Sequence, residues 1–506
     1  MSRWLALAAV VALVAAPWLM ARPPEAPPAD ARRLIVLTPH NEYVRLEFER
    51  AFAAWSRREL GQAVAIDWRT GGTSDLAKLV DGQFKAAAKR ELRVDLGAAD
   101  AAVAGQAKEA LAASTLGIGA DLFFGGGSRE LGQLADKGYL VDAGIAALEP
   151  AWFADGAIPA RIGNEALYDA KGRWYGVSLS SFGVCGNVDR CAEIGIATPI
   201  AWTDLGDPRL VGQVSIGDPT KSGSIAACYE MIVHSRMTAA GGADAEALDA
   251  GWRDGLTLVK RIVANARSVN DGAGRVVRDV ARGEAAAGMV ISTYGRLEAE
   301  WSARESGGRE RLVFREPEDG TSISPDPIGL MQGAPNRDLA VACIRFALSP
   351  EWQRVLCYRL GVDGGPARHA LRNLPVHRAL YGAAHRAMRS DPDADPYALA
   401  GRFQYRKEWT GRHFALIRSL IKAVALDPRP ELESAWKAIV AAGGPDAVPE
   451  AMAEFAWLPF AYRDADEAKK PPSDDPLAMR VRLREWSEEA RRRYAAAERL
   501  AKAATR

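Results

Sequence analysis

The sequence predicts an α/β fold, and two patterns along the chain lead to that prediction. Apolar strands alternate with helical stretches, which favours mixed layers over separate all-β and all-α blocks. Several strands also break into short polar turns that open directly into helices. Free backbone N–H groups and the helix dipole converge at such turns, where α/β proteins hold ligands. The same patterns therefore indicate a binding cleft.

Three of these turns lie in the first quarter of the chain. The strand at 34–37 runs into the polar turn 38–42, and the strand at 64–68 runs into 70–74. A third strand ends at Phe124 and is followed by a glycine-rich turn and a helix. Each turn presents small or polar residues to whatever lies beyond the strand ends.

The middle of the chain adds the best candidate for an anion site. A long β-type run at 173–184 has a small, polar centre that suits a strand crossing between two lobes. Farther on, a strand enters the turn 220–224 ahead of a helix. Ser222 and Ser224 offer hydroxyls there, and the helix offers its N-terminal amides. Simple N-capping by serine is the equal alternative, because it uses the same groups.

Two later segments complete the α/β pattern. A buried strand entered from a helix at 283–291 delivers the residues 292–294, and the stretch 314–331 reads as a return crossing followed by a strand. We expect Tyr294 and Asp326 to lie at the ends of these strands.

Composition describes a large globular protein of balanced charge. The chain has 506 residues, 48% of them hydrophobic, which is enough for two or more packed domains. Its formal net charge of +1 favours neither nucleic acid nor an anionic membrane surface as a partner. A charged ligand must therefore be attracted by local groups.

The first segment is expected to direct the chain out of the cytoplasm. Arg3 precedes an apolar run at 4–21, and a Pro/Ala-rich tether follows at 22–32. A basic start before such a run is typical of an export signal. The run is near the lower length limit for a membrane span and ends in a poor cleavage site, so a signal peptide at 1–21 and a retained inner-membrane anchor both stay open. We expect a periplasmic or otherwise extracytoplasmic protein.

The five cysteines do not indicate a metal site. They are odd in number, lie in apolar contexts and lack paired CxxC spacing. Buried free thiols are the expected state, although a Cys185–Cys191 or Cys343–Cys357 bridge stays open in an oxidising compartment.

From about residue 33 to 375 the chain resembles the type II periplasmic solute-binding proteins of ABC importers, in the branch that includes ferric-ion-binding proteins. The motifs that carry the resemblance are the first turn with His40 and Glu42, ADLFFGGGS at 120–128, WYGVSLSSFGVCGN at 174–187, GDPTKSGS at 217–224 and APNRDLAVACIRFALSPEWQRVL at 334–356. Their order and spacing matter more than any one of them.

This resemblance implies a two-lobed type II fold joined by two crossing strands, which closes on a solute like a hinged clamp. Lobe 1 would comprise 33–180 and 316–378, and lobe 2 would comprise 182–314. The resemblance also implies docking to an ABC permease and delivery of the solute to it. Residues at strand ends and helix starts would line the cleft: Thr38, His40, Thr73, Ser128, Ser180, Ser222, Ser224, Tyr294 and Asp326.

The solute implied by the resemblance is either iron or an oxyanion. Ferric-binding members use a first-turn histidine and two adjacent tyrosines; His40 and Tyr294 match, but Thr293 replaces the other tyrosine. No acidic residue ends the 120–128 motif. A bare ferric site is therefore expected to be weak, with Fe3+ as transported ligand rather than cofactor. The Ser, Thr and Gly content of the turns suits an oxyanion-bearing organic solute, or iron that carries its own anion.

Two other classes of function stay open. An enzyme on the same fold could use Cys185 or Cys228 as nucleophile, but the sequence contains no G-x-S-x-G elbow, P-loop or HExxH motif. A membrane-tethered ligand sensor or scaffold is suggested by the C-terminal region 379–506, which ordinary solute-binding proteins lack.

That region is predicted to be a helical extension. Residues 414–424 have helical periodicity, and the final stretch 478–505 alternates charges as a solvated or partner-docking helix does. We expect six aromatic residues to bury a small helical core: Tyr405, Trp409, Trp436, Phe455, Trp457 and Phe460.

Overall fold

The computed structural model describes residues 30–505 except 243, 319, 402, 474 and 476. Its strands, in chain order, are β1 Arg32–Thr38, β2 Val64–Thr70, β3 Leu122–Phe124, β4 Leu140–Val141, β5 Arg161–Ile162, β6 Glu165–Ala166, β7 Trp174–Ser180, β8 Phe182–Asn187, β9 Val214–Gly217, β10 Ala266–Asn270, β11 Ala287–Ile291, β12 Leu312–Arg315, β13 Ser324–Met331 and β14 Leu374–Pro375.

Helices alternate with these strands and then continue alone. They are α1 Glu42–Glu59, α2 Thr73–Ala87, α3 Ala101–Ala112, α4 Ser128–Asp136, α5 Ile145–Leu148, α6 Val188–Glu193, α7 Gly223–Ala239, α8 Ala245–Ala264, α9 Ala273–Ala281, α10 Ser292–Glu305, α11 Arg337–Leu348, α12 Pro350–Cys357, α13 Ala383–Arg386, α14 Pro396–Leu399, α15 Phe414–Ile421, α16 Arg429–Ala441, α17 Pro449–Phe455, α18 Ala465–Ala468 and α19 Ala478–Ala504.

The first lobe is built on a seven-stranded sheet in the order β14-β7-β13-β3-β1-β2, with β4 also paired to β13. β1 runs parallel to β2 and β3, whereas β13 runs antiparallel to β3 and β7. Asp121 joins β1 to the start of α11: its carboxylate accepts the N–H of Ile35 at 2.8 Å and the N–H of Asn336 at 2.7 Å. Because β1, β2 and β3 are parallel, their carboxyl ends lie at the same end of the sheet. The turns predicted to bind ligand begin there.

The second lobe is built on a five-stranded sheet in the order β10-β9-β11-β8-β12. β8 follows β7 after Ser181 and belongs to the second sheet, so the chain crosses between lobes there. It returns between β12 and β13. The α/β two-lobed fold is as predicted. The lobe limits 33–180 with 316–378, and 182–314, remain a proposal that the division into two sheets supports.

The C-terminal extension begins on lobe 1 and then passes to lobe 2. The Tyr397 hydroxyl donates to the carbonyl of Val376 at 2.6 Å, which holds α14 against lobe 1. Phe403 and Tyr405, only a few residues later, are buried in the lobe 2 core. The chain thus crosses between the lobes a third time near residues 400–405. The sequence did not predict this crossing.

The extension shares the hydrophobic core of lobe 2 instead of forming a separate one. Trp436 is fully buried and its indole N–H donates to Asn265 Oδ1 at 2.8 Å. On α19, Tyr494, Ala497 and Ala501 are fully buried in the same cluster as the lobe 2 side chains. The six aromatic residues thus pack in a core, as expected, and that core is continuous with the one of lobe 2. The charged face of α19 is only its outer side.

Two further expectations concern the termini and the cysteines. The predicted signal or anchor segment, including residues 4–21, lies outside the described residues and stays a prediction. None of the helices in the described part of the chain has the length and apolar character needed to cross a bilayer. All five cysteines are free and buried, so neither of the bridges considered from the sequence is present.

Gln353 should contribute strongly to the stability of lobe 1. Its fully buried amide donates to the carbonyls of Val177 (2.7 Å) and Ala347 (3.0 Å) and accepts the N–H of Val376 (2.8 Å). Gln353→Met keeps the volume but leaves these backbone groups unpaired. We expect it to lower the free energy of unfolding by about 2–4 kcal/mol in urea denaturation. Gln106→Met, at an exposed position on α3, is the control and should change it by less than about 0.5 kcal/mol.

Candidate functional site

A cavity of about 820 Å³ lies between the two lobes and is lined by residues of both. All but one of the residues predicted for the cleft line this cavity. The residues that do are His40, Thr73, Ser128, Ser180, Ser222, Ser224, Tyr294 and Asp326. The exception is Thr38, which is fully buried beneath the turn. Its hydroxyl accepts the backbone N–H of His40 at 3.1 Å, so it shapes the turn and does not face a ligand.

Several helices begin at this cavity, and they come from both lobes. The starts of α2 and α4 in lobe 1 and of α7, α9 and α10 in lobe 2 all contribute lining residues. Gly72, Gly127 and Gly272 precede α2, α4 and α9 and supply no side-chain cap, and Ile291 before α10 supplies none either. The first N–H groups of α2, α4 and α9 therefore remain available, whereas the first N–H of α10, on Ser292, donates to the carbonyl of Ser181 at 2.9 Å. The helix dipoles make the cavity favourable for an anion.

The helix α7 is the capped exception among them. Ser222 accepts the N–H of Ile225 at 3.4 Å, and the hydroxyls of Ser222 and Ser224 lie 3.3 Å apart. Both hydroxyls line the cavity. The capping bond considered from the sequence is therefore present, and the anion-binding role of Ser222 and Ser224 stays a prediction.

The glycine-rich turn before α4 needs its glycines for backbone geometry. Gly126 has φ of +100°, and a Cβ there would lie 2.4 Å from Cγ2 of Thr73. Its N–H donates to Asp326 Oδ1 at 2.9 Å. Only glycine allows this close approach of the turn to the start of α2. The two helix starts of lobe 1 are thereby held side by side.

His40 is paired with Asp326 through one ring nitrogen, and its other ring nitrogen, Nδ1, is buried and has no hydrogen-bond partner within the described residues. Its Nε2 lies 2.5 Å from Asp326 Oδ2, and its ring packs edge-on against Phe124 at 4.6 Å between centroids. The other carboxylate oxygen of Asp326 accepts from the glycine-rich turn. These contacts join the first turn, the α4 turn and β13 into one side of the cavity.

The remaining ferric candidate, Tyr294, keeps its proton. Burial, and next the negative charge of Asp326, raise the pKa of Tyr294 to about 12. Thr293 beside it shares a 3.3 Å hydrogen bond with Ser180 across the lobes. Within the described ranges, no cluster of three or more His, Cys, Asp or Glu side chains is arranged to hold a metal. The ferric ligands expected from the sequence, His40 and Tyr294, therefore stay a prediction.

The cavity also contains charged residues that sequence reasoning missed. Arg278 is exposed on α9 and lines it, as does Lys407 of the extension. Arg278 lies one to two helical turns after Gly272. Its closeness to an uncapped helix start was the signal in the sequence that could have assigned it to the cavity. Lys407 carried no such signal, because it reaches the cavity only through the third crossing.

The extension forms part of the cavity wall. Tyr405 and Phe414 line it together with Lys407. The Tyr405 hydroxyl donates to Glu230 Oε1 at 2.7 Å, and the Thr410 hydroxyl donates to the same oxygen at 2.9 Å. The wall is thus fastened to α7 of lobe 2.

The two lobes touch beside the cavity. Tyr43 of α1 stacks on Trp301 of α10 with 6.4 Å between ring centroids, and Arg372 donates to the carbonyl of Arg296 at 2.9 Å. Contacts of this kind enclose a ligand when the lobes close.

A family model described as bacterial extracellular solute-binding protein matches residues 116–377, just over half of the chain. The chain belongs to this family. The match covers both crossings between the sheets and ends before the extension. The predicted family is therefore confirmed, and with it an extracytoplasmic protein that binds a solute.

Three similar proteins extend this result. An uncharacterised protein of Haemophilus influenzae is 30% identical over 190 residues, 37% of this chain and 49% of that protein. The phosphoglycerate transport regulatory protein PgtC of Salmonella typhimurium is 22% identical over 186 residues, 36% of this chain and 40% of PgtC. The chain thus spans less than half the length of these relatives. Apo ferric ion-binding protein A of Pasteurella haemolytica has a similar fold, with a TM-score of 0.50, 12% identity and 78% and 97% coverage of the two chains.

The family consists of binding proteins, so the chain is not an enzyme, and iron would be a transported ligand and not a cofactor. The chemistry of the suggested nucleophiles agrees. Cys185 and Cys228 are fully buried, and burial raises the pKa of Cys185 to about 12 and that of Cys228 well above its usual value. Thiols held in the protonated form are poor nucleophiles.

Acid should weaken the attachment of the extension through His234. Its Nε2 accepts the backbone N–H of Arg406 at 2.8 Å, and burial lowers the pKa of His234 to about 4. The unfolded chain binds this proton near pH 6.5, so the stabilisation is present above that pH and is lost as pH falls toward 4.

The matched variant is His234→Gln, which keeps an acceptor but does not titrate. Between pH 6.5 and 4.5, the wild type should lose up to about 1.4 kcal/mol of unfolding free energy per pH unit more than the variant. Urea denaturation at several pH values measures both. Equal pH slopes for the two proteins would contradict the prediction.

Proposed function

We propose that the protein captures an oxyanion-bearing organic solute between its lobes and delivers it to an ABC permease. The observation that carries the proposal is the meeting of uncapped helix starts from both lobes at one cavity. Backbone N–H groups at helix starts bind phosphate and carboxylate groups without a dedicated cation. An anion between the lobes would be bound by both of them, which favours closure.

The size and chemistry of the cavity favour an organic solute over a bare metal ion. A cavity of about 820 Å³ falls in the range of about 300–1,000 Å³ that small-molecule ligands occupy. A ferric ion would find one phenol, that of Tyr294, because Thr293 stands at the position of the second expected tyrosine, and Nε2 of His40 is paired with Asp326. The similarity to PgtC, a phosphoglycerate transport regulatory protein, supports a phosphate-bearing solute.

Delivery to a permease is the usual role of the family. The membership of this chain in a family of extracellular solute-binding proteins supports that role. Iron accompanied by its own anion is the second candidate, and the fold shared with ferric ion-binding protein A keeps it in view. A tethered sensor would bind the same solute but would not restore its uptake. Complementation of uptake in cells that lack the gene separates transport from sensing.

Native mass spectrometry of protein purified from its own periplasm, with metal analysis of the same sample, identifies the solute directly. A co-purifying phosphorylated or carboxylated compound without metal is the expected result. Stoichiometric iron with a visible phenolate charge-transfer band would contradict the proposal.

A carboxylate placed at the start of α7 should compete with the solute. In Ser224→Asp the new charge sits in the first turn, where the dipole stabilises it by about 0.3–1 kcal/mol. We expect a slightly higher melting temperature without ligand and at least tenfold weaker binding of inorganic phosphate by calorimetry, because the two negative charges repel each other.

Ser224→Asn has nearly the same shape without the charge and serves as the control. It should bind phosphate within about threefold of the wild type, since only one hydrogen bond is altered. If the Asp and Asn variants bound phosphate equally well, the anion would not bind at this helix start.

A further inference from the structure

We propose that the C-terminal extension is part of the solute site, where it forms the wall that recognises the portion of the solute distant from its anionic group. The inference rests on the proposed function, because it concerns the same cavity. Its first support is position: Tyr405, Lys407 and Phe414 line the cavity that the helix starts open into. These residues lie beyond the matched family region, which ends at residue 377.

The second support is that the wall is fixed to lobe 1. Asn164 Nδ2, in the turn between β5 and β6, donates to the carbonyl of Tyr405 at 2.7 Å. The Arg129 guanidinium lies 4.3 Å from the centre of the Phe414 ring and donates to the carbonyl of Gly411. Arg129 follows Ser128 at the start of α4, so the wall contacts the element that offers its N–H groups to the anion.

The wall is equally fixed to lobe 2. Arg418 of α15 donates to the carbonyls of Pro219 at 2.7 Å and Thr220 at 2.9 Å, in the turn before α7. The same guanidinium also reaches the hydroxyl of Ser74 on α2 at 3.3 Å. The extension therefore spans both lobes beside the helix starts. Side chains on such a frame are held in place before a solute arrives, which suits them to recognition.

Carboxyl groups also line the cavity beside this wall. Glu165 of β6 does so, with its Oε2 3.4 Å from the Ser128 hydroxyl, and Glu230 of α7 does so with its Oε1 accepting from Tyr405 and Thr410. Lys407 of the extension is exposed and lines the cavity as well. Carboxyl oxygens that are not already bonded can accept hydrogen bonds. They suit a solute that carries hydrogen-bond donors, hydroxyl or ammonium, at the end away from its anionic group.

Truncation of the extension cannot test this inference. Its buried residues share one hydrophobic cluster with lobe 2, and its removal would expose that core. Point variants in the wall avoid the problem. Lys407→Met removes the exposed amine, and Phe414→Ala removes a ring that lines the cavity. Lys437→Met, at an exposed position on α16 away from the cavity, is the matched control.

Calorimetric titration with three anionic probes separates the two ends of the site. Inorganic phosphate reports on the helix starts alone, fructose 6-phosphate adds hydroxyls, and phosphoethanolamine adds an ammonium group. Phe414→Ala should weaken binding of both larger probes at least fivefold. Lys407→Met should weaken fructose 6-phosphate about tenfold and strengthen phosphoethanolamine severalfold, because a donor and a like charge are removed. Both variants should bind inorganic phosphate within twofold of the wild type, and Lys437→Met should match the wild type with every probe.

Each result bears on the inference. Wild-type preference for phosphoethanolamine or for fructose 6-phosphate supports it and identifies the donor as ammonium or hydroxyl. Unchanged affinities for the larger probes in both wall variants would overturn it and leave the proposed function intact. Equal losses for all probes, inorganic phosphate included, would overturn it too, because the wall would then act on the anionic group. A wild type that binds none of the probes would overturn the proposed function together with this inference.

Discussion

Unpaired backbone N–H groups at helix starts are the constraint around which the cleft is organised. Every α-helix leaves its first N–H groups without intrahelical partners. Gly72, Gly127 and Gly272 have no side chain to satisfy them, and these positions lie in both lobes. Water can accept hydrogen bonds from these N–H groups in an open cleft, but in a closed cleft the bound solute must supply the acceptor. This accounts for the Ser, Thr and Gly residues that line the cavity where the helices begin.

The pairing of His40 with Asp326 gives the same cleft its structural frame. The carboxylate receives the imidazole on one oxygen and the N–H of Gly126 on the other. The histidine and the carboxylate thereby connect the first turn to the glycine-rich turn and to β13.

The sequence predicted what is local and missed what depends on distant pairing. The pattern of a strand end followed by a helix start lies within about ten consecutive residues, so Thr73, Ser128 and Ser224 could be assigned to the cleft from the sequence. The burial of Thr38 depends on which way one hydroxyl turns within the same segment. Tyr405 and Glu230 lie 175 residues apart, and no periodicity reports that they meet. For the same reason, the sequence missed that the core of the extension is continuous with that of lobe 2, because its aromatic residues pack against side chains far away along the chain.

The third crossing changes how the molecule moves as well as what it contacts. Two lobes linked only by adjacent strands can rotate relative to each other over a wide range, and a bound solute must restrict all of that motion. An additional covalent link, fastened on both sides, restricts the swing in the empty protein. Less conformational freedom then remains to be lost at each encounter. The C-terminal extension therefore moves part of the entropy cost of fixing the two lobes from solute binding to folding. The chain meets that cost once, when it folds, and not at each binding event.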